Sequence, residues 1–248
     1  MQITILGCGF SVGVPVIGCK CSVCQSDSNY NKRTRSAIII SNAESKILVD
    51  FGPDIRNQLL RENISYLDAA ILTHNHSDHV VGIEDLRVFP LIHKHPALNI
   101  FLAKEIEDEI QQQYEHLFQR KHFILNAVDN YQKIKVKNIE LQLFQQIHGN
   151  INSLGIRVGD FVYSTDISDF PSESEQYLEN IKIWILDCCK EKSNNNHAGL
   201  DKIMLWDKKF KPEKIFLTNL SHEIGYHALK QNLPPHIQPL YDGLTINI

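Results

Sequence analysis

Short apolar runs of strand length recur along the whole chain, each bounded by polar residues, glycine or proline. They are Ile3–Leu6, Ala37–Ile40, Lys46–Asp50, Ala69–Thr73, Asn99–Leu102, Ile139–Phe144, Gly155–Val158, Phe161–Ser164, Ile183–Asp187 and Lys214–Thr218. Such a run between turn-forming residues predicts a strand. Between them, spaced apolar residues and helix-starting polar residues predict helices over Pro53–Glu62, His79–Val88, Lys104–Gln119, Ser172–Leu178, Leu200–Lys208 and His227–Leu233. The order is strand-heavy with interspersed helices, which suits two sheets sandwiched between helices better than one doubly wound sheet. Ser193–Asn196 is polar and without apolar periodicity, hence a loop.

Composition narrows the class. The 248 residues are 43% hydrophobic and 22% charged, enough for a full core, and the chain reads as one domain over residues 1–248. A net charge of −4 supplies no global positive field for a long polyanion, so a small substrate is favoured over a nucleic-acid groove. The start, Met1–Leu6, lacks the charged and cleavable parts of a signal peptide, and no run reaches membrane-spanning length. Of six cysteines, Cys19, Cys21 and Cys24 crowd one polar loop. That grouping reads as metal ligands in a reducing compartment, the cytoplasm, rather than a disulfide framework. Cys8, Cys188 and Cys189 sit in or beside apolar runs and read as core.

The run His74-Asn75-His76-Ser77-Asp78-His79 follows the apolar stretch Ala69–Thr73. At the end of a strand, period-two alternation would bring His74, His76 and Asp78 to one side, with Asp78 and His79 opening the next helix. Imidazole nitrogens and carboxylate oxygens packed this closely are the donors that divalent zinc, manganese or iron accept.

On this run the chain resembles the metallo-β-lactamase superfamily, whose signature is His-x-His-x-Asp-His after a strand. The resemblance implies an αββα sandwich, with further matches at Asp50 in Ile47-Leu48-Val49-Asp50, His148 in Ile147-His148-Gly149 and Asp166 in Tyr163-Ser164-Thr165-Asp166. Carried over, His74, His76 and His148 hold one divalent ion, Asp78 and His79 a second, and Asp166 bridges them. Gly7–Cys24 further resembles the branch containing the phosphoribosyl cyclic phosphodiesterase of phosphonate breakdown. There Cys19, Cys21 and Cys24 would share a structural zinc with His222, and two catalytic ions, zinc or manganese, would lie apart from it. The alternative is that His222 serves the catalytic metal. Asn219 stands where relatives carry a histidine ligand of the second ion and offers only a neutral amide oxygen, so that ion would be held more weakly. His197 matches the histidine that gives the leaving group its proton, and Asp78 joins it among the catalytic residues. His227 matches a position that could touch substrate or lie on the surface, whereas Arg33 and Arg35 read as solvated arginines flanking a strand.

The function these resemblances imply is a metal-dependent phosphodiesterase for a small anionic cyclic phosphate or nucleotide-like diester. Two ions sharing an aspartate can activate a water for the attack. The superfamily also holds thioester and lactone hydrolases, so an acyl hydrolase is the second enzymatic reading. A non-catalytic protein of cofactor biosynthesis is the third, because a relative in pyrroloquinoline quinone formation shares the cysteine loop. The resemblance also implies a homodimer as the assembly to look for.

Overall fold

The apolar runs form strands because most are covered on both faces, which relieves them of the alternation a half-exposed strand would show. The computed structural model of the protein describes residues 1–93 and 95–248. One sheet runs in the order β14 (Thr245–Asn247), β1 (Gln2–Gly7), β2 (Ala37–Ser41), β3 (Lys46–Val49), β4 (Ala69–Leu72), β5 (Leu98–Ala103) and β6 (Phe123–Val128). The other runs β13 (Ile237–Pro239), β12 (Lys214–Thr218), β11 (Ile183–Asp187), β10 (Phe161–Ser164), β9 (Ile151–Val158), β8 (Ile139–His148) and β7 (Lys133–Val136). Both sheets follow one scheme. Strands up to β3 pair antiparallel and β3 to β6 parallel; likewise β7 to β10 pair antiparallel and β10 to β13 parallel. Asp50 follows one switch strand, β3, and Asp166 lies just past the other, β10.

Three apolar layers hold the stack together. Between the sheets lie Ile3, Ile5, Ile38, Ile40, Val49 and Ile71 from one and Leu143, Leu154, Ile156, Tyr163 and Ile185 from the other. Parallel pairs need crossover connections, and the helices that make them cover the outer faces. On the first sheet α1 (Ile55–Arg61), α3 (Ile83–Leu86), α5 (Glu107–Gln113) and α6 (Glu115–Gln119) bury Ile55, Ile83, Ile110 and Leu117; α2 (Ser77–Val80) and α4 (Val88–Leu91) add Val80 and Phe89. The second sheet is covered by α7 (Leu200–Phe210) and α8 (Tyr226–Asn232) through Ile203, Trp206 and Leu229. The layers are therefore αββα, as the sequence pattern predicts. Among the described residues, no helix is long and apolar enough to cross a membrane.

Several local expectations change. The helix predicted over 79–88 is three short helices, α2 to α4, because the chain must press against the turn after β3: Phe51 donates to the His79 carbonyl and Gly82 donates to that of Phe51. The predicted helix over 104–119 divides into a 3-10 turn, Lys104–Ile106, followed by α5 and α6, interrupted where Tyr114 is buried. Ser172–Leu178 is 3-10 rather than α-helical. β8 and β9 run on through polar Gln145, Gln146, Asn152 and Ser153, which shortened them in the hydrophobic pattern. β7, β13 and β14 are short or partly exposed and carry no clear apolar run, whereas β6, apolar but for Asn126, is a strand absent from the predicted set.

Arg33 is not solvated. It is 1% exposed, and its guanidinium donates to the carbonyls of Ser221 and Ile224 at 3.0 and 2.8 Å and to Asn31 Oδ1 at 2.9 Å. The backbone of Arg33 meanwhile pairs with Val14, so one side chain ties the cysteine loop to the segment carrying Asn219 and His222. Arg35 is half-buried against Asp54 at 2.9 Å.

The turn after β3 supplies a test of this packing. A Cβ on Gly52 would stand 1.8 Å from the Asp78 carbonyl oxygen, backbone that cannot turn aside. Gly52→Ala is therefore expected to cost about 3 kcal/mol, seen as a lowered urea midpoint together with weaker metal binding at the histidine run. An unchanged midpoint would show that the two loops are not locked together.

Candidate metal centre

The site gathers at the C-terminal ends of the two switch strands, β3 and β10, and of β4, β8, β11 and β12. Asp50, Asp166 and Asn219, each just past a strand, take left-handed backbone conformations with φ of 63°, 48° and 58°. Aspartate and asparagine are among the non-glycine residues that tolerate this region best. The sharp turn it creates sends each chain out of its sheet while leaving the side chain at the sheet edge.

β4 ends at Leu72, so His74 and His76 stand on an extended loop rather than on a strand pleat, and α2 begins at Ser77. The predicted convergence is met by this loop. His76 Nδ1 lies 3.2 Å from His148 Nε2, and the His74 ring is 4.6 Å from that of His76 and 5.1 Å from that of His148. A second group adjoins it: His79 Nε2 lies 3.3 Å from Asp78 Oδ2 and 3.1 Å from Asp166 Oδ2. Asp166 stands between the two, its Oδ1 3.7 Å from His148 Nε2 and its Oδ2 accepting from Thr165 at 2.7 Å.

Hydrogen bonds behind the rings orient them. Asp50, fully buried, accepts from the Thr73 N–H at 2.9 Å, the Thr73 hydroxyl at 2.9 Å and His79 Nδ1 at 2.8 Å. The Thr73 hydroxyl in turn accepts from His74 Nδ1 at 3.0 Å, and the Asn196 carbonyl accepts from His148 Nδ1 at 2.7 Å. With Nδ1–H committed in all three rings, the Nε2 lone pairs of His74, His79 and His148 face the cluster. His74 Nε2 is buried with no hydrogen-bond partner, an orphan that demands an explanation. Burial depresses the basicity of His79, yet the Asp166 and Asp50 carboxylates overcome it and hold that imidazole well above its ordinary range. Carboxylates packed here call for positive charge, and the converging Nε2 atoms are suited to receive it from a divalent cation. The donor set therefore fits: His74, His76 and His148 could hold one ion, and Asp78, His79 and Asp166 another.

His197, from the Asn-rich loop, adjoins this cluster with its ring 4.9 Å from that of His148. Its Nδ1 donates to buried Asp187 at 2.8 Å. Burial lowers the His197 pKa, but the charge and hydrogen bond of Asp187 outweigh it and raise the value to about 9. Asp187, Thr73 and Asn196 escaped sequence reasoning. A signal for Asp187 exists, since two apolar runs end in aspartate, Asp50 and Asp187, and Asp166 lies two residues past a third.

The cysteines form a separate group. His222 Nδ1 lies 3.3 Å from Cys19 Sγ and 3.6 Å from Cys21 Sγ, and the Cys24 N–H donates to Cys21 Sγ at 3.4 Å. That bond and the His222 contact lower the Cys21 pKa to about 6, while burial raises that of Cys24 to about 11. The structure thus puts His222 with the thiols and not in the histidine and aspartate groups, and the set suits tetrahedral zinc. Cys8, Cys188 and Cys189 are buried, as expected of core residues. His227 joins neither group: exposed at the start of α8, it meets Tyr30 edge-on at 5.3 Å.

Two substitutions separate the groups. Asp50→Asn is expected to weaken metal binding at the histidine cluster roughly 10–100-fold while leaving one zinc per chain. His222→Ala should do the reverse, losing that zinc and lowering the melting temperature. Metal content by plasma mass spectrometry reads both, and the same loss in both variants would contradict two independent sites.

A family model described as anti-Pycsar protein Apyc1 matches residues 22–234. An octanoyltransferase from Porphyromonas gingivalis is 32% identical over 253 residues, which cover 98% of this chain and 51% of that protein; the chain spans about half its length. A crystal structure described as a new diphosphatase from the PhnP family superposes with a TM-score of 0.93 at 31% identity, over 99% of this chain and 96% of its own. Zn2+-bound PqqB from Methylobacterium extorquens superposes with a TM-score of 0.82 over the whole of both chains, at 17% identity, a likeness of fold alone. With a family model covering most of its length and an end-to-end match to the diphosphatase, the chain belongs to the anti-Pycsar protein Apyc1 family, among the metallo-β-lactamase-fold hydrolases.

Proposed function

We propose that the protein hydrolyses a small anionic phosphodiester, a cyclic phosphate or nucleotide-like diester, in a metal-dependent reaction. The observation that carries this reading is the Asp187–His197 pair beside the imidazole and carboxylate cluster. His74, His76 and His148 would hold one divalent ion, zinc or manganese, and Asp78 and His79 a second, with Asp166 shared. Bound there, such ions supply Lewis acidity for the phosphoryl oxygens and a more acidic water for the attack.

The protein's own part is orientation and proton delivery. Asp50 and Thr73 fix two imidazoles, and the Asn196 carbonyl fixes a third. His197, with Nδ1–H given to Asp187, presents Nε2 as the group that protonates the leaving oxygen. An alkoxide leaving group needs that proton, whereas a thiolate leaves without it, so the pair favours a phosphodiester over a thioester. A diphosphate is the second reading, supported by the diphosphatase relative at 31% identity. The octanoyltransferase name is not carried over, because the match covers half of that protein. A net charge of −4 supports a small substrate rather than a long nucleic acid. Cys19, Cys21, Cys24 and His222 would hold a structural zinc, and the need to keep those thiols reduced supports a cytoplasmic setting.

His197→Ala should lower turnover of alkyl phosphodiesters about 100-fold or more and that of bis-aryl esters far less, because nitrophenolate leaves unprotonated. Equal losses on both would remove the proton-donor role. Asp187 raises the His197 pKa, and the donor works only while protonated, so rate falls as pH rises through that value. Asp187→Asn should therefore move the alkaline limb of the alkyl-ester profile to lower pH, and a limb that stays in place would count against the pairing.

A further inference from the structure

The loop of residues 193–198, between β11 and α7, has no regular secondary structure, and hydrogen bonds pin both of its ends. At its start the Ser193 N–H and hydroxyl donate to Asp201 Oδ1 at 2.9 and 2.6 Å, and the hydroxyl accepts from the Gly199 N–H at 2.8 Å. At its end the Ala198 N–H donates at 2.6 Å to the carbonyl of Ile167, the neighbour of Asp166. Asn194 closes the middle. Its side-chain oxygen accepts from the N–H groups of Asn196 and His197 at 2.8 and 2.9 Å, and its own N–H donates to the His197 carbonyl at 2.9 Å. Both partners of the side chain are donors, so the amide end between them is the oxygen. The peptide joining Asn196 to His197 is thus held from both sides. Its N–H points to Asn194, and its carbonyl accepts from His148 Nδ1 at 2.7 Å. A peptide is planar, so fixing the direction of the N–H fixes that of the carbonyl. Gly149 leaves room for this approach: a Cβ there would stand 2.3 Å from Asn196 Oδ1.

We infer that Asn194 is a positioning residue of the centre, which through this one peptide sets both the ring of His148 and the place of the proton donor His197. An asparagine that turns an exposed loop ordinarily holds only that loop. Here the peptide it fixes aims at a histidine of the three-histidine group and begins the residue whose Nδ1 donates to Asp187. Asn194 is itself exposed, so loss of its side chain leaves the core intact. The inference rests on the proposed reaction for the role of His197, whereas the hold on His148 is read from ion binding, so the two can fail separately.

The experiment compares wild type, Asn194→Ala and Asn194→Asp, whose carboxylate keeps an acceptor for both N–H groups. Chelator competition gives the zinc affinity of the histidine cluster, and proton NMR of the zinc-loaded protein follows the His197 Nδ1–H, assigned by its absence in His197→Ala. Turnover of alkyl and bis-aryl phosphodiesters is measured alongside. Asn194→Ala, with its cysteine-bound zinc intact as the folding control, should bind cluster zinc about tenfold more weakly and lose the sharp Nδ1–H signal to exchange with water. Its alkyl-to-aryl turnover ratio should fall about tenfold or more. Asn194→Asp should restore the signal and bring affinity and ratio to within about threefold of wild type. Wild-type affinity and an unchanged signal in Asn194→Ala would overturn the inference, as would a change in one without the other. So would Asn194→Asp behaving as Asn194→Ala does, since the acceptor would then not be what matters. Absence of phosphodiester turnover in wild type would remove the proposed reaction, and affinity and NMR would still decide whether Asn194 positions the two histidines.

Discussion

Asp50 is a carboxylate with no solvent exposure, and the centre depends on how its charge is satisfied. A buried ion costs several kcal/mol unless its lone pairs are met, and here two groups of Thr73 and the Nδ1–H of His79 meet them. Through Thr73 the same carboxylate reaches His74. One residue at the end of β3 thereby sets the ring orientation of a histidine in each ligand group. Burial raises the Asp50 pKa while His79 and Thr73 draw it down, so the anion and its donors are mutually dependent.

The arrangement of the sheets explains why such a residue stands there. Each sheet changes from antiparallel to parallel pairing at one strand, and past each of these strands the chain turns left-handed at an aspartate. Asp50 orients ligands from behind, and Asp166 faces the cluster itself. The next parallel strands, β4 and β11, lead to His74 and Asp187. In open α/β sheets ligands collect beyond the carboxyl ends of strands near a change of strand order, and the sandwich here brings two such edges together. The cysteine group sits beside this meeting point, fastened by buried Arg33.

Much of this is legible in the sequence, for physical reasons that differ by layer. Strands buried on both faces announce themselves as continuous apolar runs, so the four-layer architecture follows from their order. The residues His74, His76, Asp78 and His79 are close in the chain and could be grouped without a structure, while His148, Asp166, His197 and His222 were reached by resemblance. What stayed hidden depends on long-range partners. Arg33 reads as solvated because its partners are carbonyls of Ser221 and Ile224, and a carbonyl leaves no mark in the sequence. The same holds for the Asn196 carbonyl behind His148. The broken helix over 79–88 reflects the press of Gly52 and Gly82 against neighbouring backbone, which periodicity does not register.

The central claim is that Asp50 with Thr73, and the Asn196 carbonyl, aim the Nε2 lone pairs of His74, His79 and His148 at divalent ions. Anomalous diffraction at the zinc edge, on crystals of the zinc-loaded protein, tests it most directly. The account predicts a full-strength peak at His74, His76 and His148, another at Cys19, Cys21, Cys24 and His222, and a weaker one at Asp78, His79 and Asp166. A peak at the cysteines alone, with His79 bonded to Asp166 as an imidazolium, would contradict it.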